Sequence, residues 1–245
     1  MPGHNGSPVS GLLTLSAILL LALTPAAPAK AELPLEPHVA VYKVKISVLG
    51  GKLTTKLTET EGGYRAERVT KPTGLAKIIA RGNIEESAEF SKMDNGLRPS
   101  HYYSNDEISK EAGETRIDFD WDAGVVTGSH NDLDVSEELN GLWHDRLSIQ
   151  YELMYDLLNG FPVGPYTLFE VDKIRPLGVE FIGEKKVRVP AGTYDAIGVR
   201  HQAEGSSRVT TFWFVKELGY VPAIIERHRK DKLLMQAKLT KYIAL

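Results

Sequence analysis

A period-two alternation of apolar and polar side chains, sustained over most of a 245-residue chain, constrains this protein more than any other feature. A strand alternates in this way when one face of its sheet is buried and the other meets water. The first stretch sets the pattern: Ala40, Tyr42, Val44, Ile46 and Val48 oppose Val39, Val41, Lys43, Lys45 and Ser47, and the first set is the apolar one. Gly50-Gly51 is predicted to turn the chain into a strand over Lys52–Thr60, and Gly62-Gly63 into another over Tyr64–Thr70. Two hairpins so close together predict an antiparallel meander. The segment Pro72–Ala80 reads as a short helix or an apolar connection. Strands are then expected over Asn83–Ser91, Leu97–Ser104, Thr115–Trp121 and Val125–Ser129, followed by an acidic loop, Asn131–Asn140.

The alternation changes period once. From Asp145 to Leu158 the apolar residues Leu147, Tyr151, Met154 and Leu158 recur at steps of three and four, and Leu153 and Leu157 widen the stripe. Asp145 is placed to cap this helix, and Asn159-Gly160 before Pro162 ends it. Strands resume over Tyr166–Ile174, Val179–Val189, Thr193–His201, Val209–Val215, Tyr220–His228 and Lys232–Ile243. The expected fold is mainly β: a large curved antiparallel sheet or partial β-barrel, with one amphipathic helix packed across its concave face. Lys and Glu fall on both faces of several strands, which excludes a lipid-facing band of an outer-membrane barrel.

The N-terminus reads as an export signal. Leu12 to Leu23 is a nearly unbroken apolar run, Thr24-Pro25 breaks it, and small residues lead to Ala29-Lys30-Ala31, as at a signal-peptidase site. The run is short for a membrane span. Residues 1–10 carry no Lys or Arg, a departure from the usual basic start, and an uncleaved N-terminal anchor is the alternative. The expected organisation is a signal peptide over residues 1–31, cleaved after Ala31 or after Ala29, a linker over 32–38, and one periplasmic β-rich domain over 39–245. The absence of cysteine excludes disulfides, thiolate metal sites, thiol nucleophiles and the usual cysteine-anchored lipoprotein. A net charge of −3 gives no basic surface for nucleic acid. After cleavage the chain is not expected to be integral to a membrane. The densest basic run, Arg227-His228-Arg229-Lys230, reads as a solvated turn beside Asp231.

Candidate chemistry is sparse. Asp118, Asp120 and Asp122 have the opening spacing of a calcium loop, but Ala123 stands where Gly is needed and Ser129 where a closing Glu belongs. As a strand, the same stretch turns Ile117, Phe119 and Trp121 inward and the three Asp outward. The histidines at 38, 101, 130, 144, 201 and 228 are scattered singly. His144-Asp145 offers an acid–base pair, with a capping aspartate beside a surface histidine as the blander account. No GxSxG, SxxK or phosphate-cradling Gly-rich turn occurs. Glu85-Glu86 and Glu137-Glu138 read as solvated loop or edge residues. No catalytic residue, metal site or cofactor is therefore expected. Among the aromatics, Trp143, Tyr151 and Trp213 are the candidates for lining a ligand pocket, and ordinary core packing is the competing account. Phe212 and Phe214 are expected on one strand face and Trp213 on the other.

Val187-Arg-Val-Pro190-Ala-Gly192-Thr-Tyr194-Asp-Ala196, then Phe212-Trp213-Phe214 and Glu217-Leu218-Gly219-Tyr220-Val221-Pro222, with Asp145-Arg-Leu-Ser148 opening the helix, form a distinctive series. It resembles a family of exported Gram-negative proteins known as a domain of unknown function, from about Val39 to the C-terminus. The resemblance implies a periplasmic β-rich fold similar to the open barrels of lipoprotein carriers, and no activity or catalytic residue. The functional expectation is a non-catalytic binding or accessory protein of the cell envelope, holding an apolar or lipid-like ligand between sheet and helix. A structural or protein–protein interaction module with an envelope partner is the alternative, and an enzyme using His144 and Asp145 a third reading.

Overall fold

The structure, a computed structural model, describes residues 1–3, 32–94, 96–109, 112–131, 133–171 and 173–245. From residue 4 onward the predicted signal peptide, with its cleavage site, lies outside the described residues. Among the described residues no helix is long and apolar enough to cross a membrane.

Fifteen strands form one sheet between Glu32 and Leu245 among the described residues. They are β1 (His38–Ile46), β2 (Leu49–Thr60), β3 (Gly63–Thr73), β4 (Ile84–Met93), β5 (Gly96–Asp106), β6 (Gly113–Asp120), β7 (Val125–His130), β8 (Leu133–Glu138), β9 (Trp143–His144), β10 (Tyr166–Glu170), β11 (Lys173–Val189), β12 (Gly192–Ala203), β13 (Arg208–Val215), β14 (Val221–Arg229) and β15 (Lys232–Ala244). A single turn, α1 (Ala76–Ile79), follows β3, and the long helix α2 (Ser148–Asn159) joins β9 to β10. The spatial order runs from β8 down to β1, passes to β15, and continues down to β9. Every pairing is antiparallel except β9 with β10, where α2 supplies the crossover that parallel strands need. The expected curved antiparallel sheet with one long helix is what forms.

The two sheet edges are β8 and β9, neighbours in sequence but unpaired, so the sheet curls without closing. The curl overlaps itself. Phe169 of β10 meets Phe119 of β6 edge-on at 6.3 Å and stacks on Trp143 at 5.7 Å. The inner face carries Ala40, Tyr42 and Val44 of β1, Leu53 and Leu57 of β2, Ala66 of β3 and Ala237 and Leu239 of β15, all buried. Helix α2 lies within the curl, and every residue from Ser148 to Asp156 is buried, including Gln150, Glu152 and Asp156. An amphipathic helix resting across an open side would have kept a wet face. Here the sheet wraps round the helix, so its polar side is enclosed as well.

Several boundaries differ from the sequence reading, each for a local reason. Gly50-Gly51 is not a turn but lies within β2, and the chain reverses at Ser47, whose φ is 54°. A Cβ on Gly51 would stand 3.3 Å from the Lys71 carbonyl oxygen and 3.4 Å from Val44 Cβ, so glycine serves close strand approach there. The expected loop Asn131–Asn140 contains the edge strand β8, and Tyr166–Ile174 is split into the whole of β10 and the start of β11. Tyr220 precedes β14 rather than opening it, with φ at 62° after a 3₁₀ turn at Lys216–Leu218. The Pro190-Ala191 turn does form a hairpin, locked by Tyr194 Oη donating to the Ala191 carbonyl at 3.0 Å.

In an antiparallel meander, alternate turns share a rim. One rim is closed by residues 32–37: Leu35 is buried, its N–H donates to Tyr64 Oη at 3.1 Å, Glu32 accepts from Tyr155 Oη, and Leu33 exchanges hydrogen bonds with Asn159. The other rim carries the turns β1–β2, β3–β4, β5–β6, β7–β8, β10–β11, β12–β13 and β14–β15. Among the described residues, exposed apolar side chains stand on all of these but β5–β6 and β12–β13: Val48, Leu75, Ile78, Ile79, Leu133, Ile174 and Leu233. This rim is called the mouth below.

Candidate functional site

Strand alternation puts Tyr64, Ala66 and Arg68 on the inner face of β3 and Glu86, Ala88 and Phe90 on that of β4, with Arg68 directly opposite Glu86. The two meet as a fork: Arg68 Nε donates to Glu86 Oε2 and Nη2 to Oε1, both at 2.6 Å. Tyr102 Oη, on β5, adds a donor to Glu86 Oε1 at 3.0 Å. Burial alone would raise the Glu86 carboxyl, but the Arg68 charge and these donors hold it below the usual range. The reading of Glu86 as a solvated loop residue is thus corrected: the side chain is 11% exposed and faces inward. Its neighbour Glu85 points out, as alternation requires.

A second pair flanks the first at the start of α2. Arg146 donates to Glu170 Oε1 through Nε at 3.0 Å and Nη2 at 2.8 Å, and Arg175 Nε lies 3.6 Å from Glu170 Oε2. Arg227 comes in from the opposite wall, on β14, beside Thr210 of β13. Four strand spacings along the sheet separate β14 from β3, and the Arg68 charge nonetheless counts among those that act on Arg227. Burial, then Arg68, lower the Arg227 guanidinium; Glu86 opposes them, and Arg146 and Arg208 add to the lowering. The residue is nonetheless exposed to solvent. The expected turn at 227–230 begins only after Arg229, and Arg227 lies within β14. His201 of β12 stacks on Phe212 at 5.5 Å and is pushed down to about 4 by burial and then by Arg227.

Deeper in, Tyr42 and Tyr151 are fully enclosed, at 1% and 0% exposure, and neither hydroxyl has a hydrogen-bonding partner in the protein. Burial raises both phenols. Beside Arg146 a cavity of about 130 Å³ opens between β5–β7 and β10, lined by Tyr102, Ser104, Thr115, His130, Phe169 and Glu170 among others. A wider depression of about 480 Å³ on β6–β8, lined by Arg116, Asp118, Thr127 and Ser136, is open to solvent and gathers no buried groups.

The three aromatic candidates are not brought together, and none lines the cavity beside Arg146. Trp143 is buried against Phe169. Tyr151 stacks on Phe90 at 5.5 Å, inside the curl. Trp213 lies on the other face of β13 from Phe212 and Phe214, over Gly198, with Lys185 Nζ 3.5 Å from its ring centroid. His144 is not a surface residue: it is fully buried, T-shaped to Tyr166 at 6.0 Å, and held neutral to about pH 3 by burial. Asp145 caps the helix as expected, accepting from Leu147 N at 2.7 Å and Ser148 N at 2.8 Å. Asp118, Asp120 and Asp122 are exposed, and Asp120 Oδ1 takes the Asp122 and Ala123 N–H groups in a turn. Among the described residues no cluster of three or more metal-ligating side chains occurs.

The enclosed acids of α2 make stability depend on pH. Burial and Asp156 raise Glu152 from 4.5 to about 8, against the Leu97 N–H donated at 2.7 Å, and burial raises Asp156 to about 6. The folded protein keeps the Glu152 proton up to about pH 8, whereas the unfolded chain loses it near 4.5, so stability falls as pH rises between these values. The slope from one such group is at most about 1.4 kcal/mol per pH unit. His144 and His201 act in the opposite sense below pH 6.5, since the unfolded chain takes up protons that the buried rings refuse. Stability is expected to peak at about pH 6–7, and Glu152→Gln should flatten the alkaline limb of a melting-temperature profile and steepen the acid limb above about pH 4.5.

Residues 39–231 match the model of DUF3108, described as a protein of unknown function, which ends before β15 rather than at the C-terminus. No curated protein matches the chain in sequence. A Brucella abortus β-barrel-like protein of the unknown-function domain DUF1849 superposes with a TM-score of 0.58 at 16% identity, covering 86% of this chain and 99% of that one. It is similar in fold. Two others superpose more loosely. A candidate lipoprotein from Parabacteroides distasonis gives a TM-score of 0.35 at 11% identity, over 86% and 97% of the two chains. A candidate exported protein with a YmcC-like fold from Bacteroides fragilis gives 0.34 at 10%, over 86% and 98%.

Proposed function

We propose, for a chain that belongs to the DUF3108 family of proteins of unknown function, a role as a non-catalytic binding or accessory protein of the cell envelope that holds an amphiphilic, lipid-like ligand at the mouth of its curled sheet. The observation that carries this reading is the pairing of two unlike features at one rim. The turns of the mouth expose Val48, Leu75, Ile78, Ile79 and Leu233, while the wall just inside carries Arg68, Glu86, Arg146 and Arg227. A soluble domain rarely gathers exposed apolar side chains without a partner for them. An amphiphile or a lipid surface is such a partner, since its tail meets the rim and its polar head meets the inner wall.

The apolar run at Leu12–Leu23 and the Ala29-Lys30-Ala31 sequence support export, and with it a periplasmic setting. The interior around α2 is well filled, so the ligand site is the mouth and the cavity beside Arg146, not a wide pocket between helix and sheet. Native mass spectrometry of the full chain, expressed in a Gram-negative host and purified without detergent, tests the proposal. A co-purifying amphiphile, lost when Leu75, Ile78 and Ile79 are all changed to Ser, is the expected result. A protein that carries nothing and takes up no single-chain lipid on titration would overturn it, and would favour the protein–protein module instead.

A further inference from the structure

We propose that one side of the mouth docks the protein on a lipid bilayer that carries anionic head groups, with the β1–β2, β3–β4 and β14–β15 turns entering its surface. The inference deepens the amphiphile-binding proposal and rests on its reading of the rim. The strand order carries it. The run β4-β3-β2-β1-β15-β14 makes these three hairpin turns consecutive on one rim, across five strand spacings of roughly 24 Å in all. Their tips are apolar and wet. Val48 is 90% exposed, and Leu75, Ile78 and Ile79 are 76%, 75% and 73% exposed, whereas the small Ala76 is the buried residue of α1. The turn shows water its largest side chains and keeps its smallest inside, an arrangement that contributes no burial to the fold. A lone exposed aliphatic needs no partner, but three in one helical turn, beside Val48 and Leu233, form a patch.

A second, independent observation sets the charge of the partner. Lys43 of β1 stands opposite Lys52 of β2 and opposite Lys238 of β15, and Lys52 stands opposite Lys71 of β3. Four lysines form one row across four adjacent strands, on the outer face, since their chain neighbours Tyr42, Leu53 and Leu239 are buried inside. Like charges directly opposite one another weaken a sheet, and none of the four forms an ion pair with a described residue. Residues 43–52, 71–81 and 229–238 together carry ten basic side chains against one acidic, Asp231, in a chain whose net charge is −3. The β5–β6 and β7–β8 turns are acidic instead, with Asp106, Glu107 and Asp134. No stretch of sequence is basic enough to announce this face; strand register assembles it from three hairpins. Apolar tips bounded by basic side chains suit an anionic bilayer, where aliphatic groups enter the acyl boundary and ammonium groups meet lipid phosphates. The lysine row lies four or five residues behind the tips, about 15 Å along a strand, so a tilted approach brings both to the surface.

Vesicle co-sedimentation of the full chain, expressed in a Gram-negative host, is the test, with vesicles of phosphatidylcholine and of equimolar phosphatidylcholine and phosphatidylglycerol. Binding to the anionic vesicles is expected to be at least tenfold tighter, and to be lost in about 1 M salt, where the screening length is about 3 Å. Lys52→Gln with Lys71→Gln should weaken it at least tenfold, while the melting temperature equals or exceeds that of the parent because the row is relieved. The chain has no cysteine, so Ile78→Cys and, on the opposite rim, Glu61→Cys each take a single polarity-sensitive dye. The dye on Ile78→Cys should shift to the blue on anionic vesicles, and the dye on Glu61→Cys should not. Equal binding to the two kinds of vesicle would overturn the anionic partner. An unshifted dye on Ile78→Cys, as binding through the N-terminal apolar run would give, would overturn the mouth as the docking face. Binding to neither vesicle would overturn docking: a co-purifying amphiphile would then leave the ligand proposal standing, and a dimer in light scattering would give the face to a second copy. Docking by a protein that takes up no single-chain lipid would support the surface and overturn the ligand proposal.

Discussion

Trp143→Ala is expected to destabilise the protein by about 3–5 kcal/mol, the range for deleting a large, fully buried aromatic. Trp143 is 2% exposed and stacks on Phe169, which in turn meets Phe119 edge-on. These three rings join the β9–β10 end of the sheet to the inner face of β6, so they hold the overlap of the curl. The Trp143 backbone also forms the single parallel pairing, opposite Thr167. Losing the indole leaves a cavity at the junction where the chain enters α2. Urea unfolding monitored by far-UV circular dichroism measures the loss, and Trp143→Phe should recover part of it by keeping a ring on Phe169. If Trp143→Ala cost under about 1 kcal/mol, against that range for buried aromatics, while binding of an amphiphile failed, Trp143 would be a ligand contact instead of the clasp described here.

The second large effect concerns the inner ion pair. Glu86→Leu should cost about 3–5 kcal/mol, because it strands the Arg68 guanidinium in a site where little water reaches it. The side chains of Arg68 and Glu86 are 19% and 11% exposed, so solvent screening is limited. Tyr102 loses its acceptor in the same step. The double change Arg68→Met with Glu86→Leu should recover most of the loss, since two apolar side chains of similar volume need no pairing. Equilibrium unfolding of the two single variants and the double variant closes the cycle. A double variant no more stable than Glu86→Leu would mean that the pair does more than neutralise itself, and that the inner wall needs the Arg68 charge for its geometry.

Much of this architecture was legible along the chain. The alternation at Ala40, Tyr42 and Val44 identified the buried face of β1, and the change of period after Asp145 identified α2 and its cap. Both signals are local, because a strand's side chains alternate and a helix's recur at three or four wherever one face is buried. The boundaries that went astray are those set by a neighbouring strand. Gly50-Gly51 has the composition of a turn, but its register against Val44 and Lys71 makes it a close approach within β2.

The site was less legible. Arg68, Glu86 and Arg227 each occupy the inward phase of their strands, beside Ala66, Ala88 and Ile225, and a charged residue in an apolar phase was the available signal. It was outweighed by the charge runs in which Glu86 and Arg227 sit, which read as solvated surface. Trp143, Tyr151 and Trp213 drew notice through their size, but size alone did not tell on which face or at which depth each ring would lie.

The sequence by itself determined most strands and α2, the antiparallel order within each hairpin and the export signal reading, because each of these depends on residues a few positions apart. Only the tertiary structure decided that the sheet curls until β9–β10 covers β6, that α2 is enclosed with Glu152 and Asp156 inside, and that Arg68 and Glu86 pair on the inner face. Those outcomes depend on twist accumulated over fifteen strands, a quantity that no single segment carries.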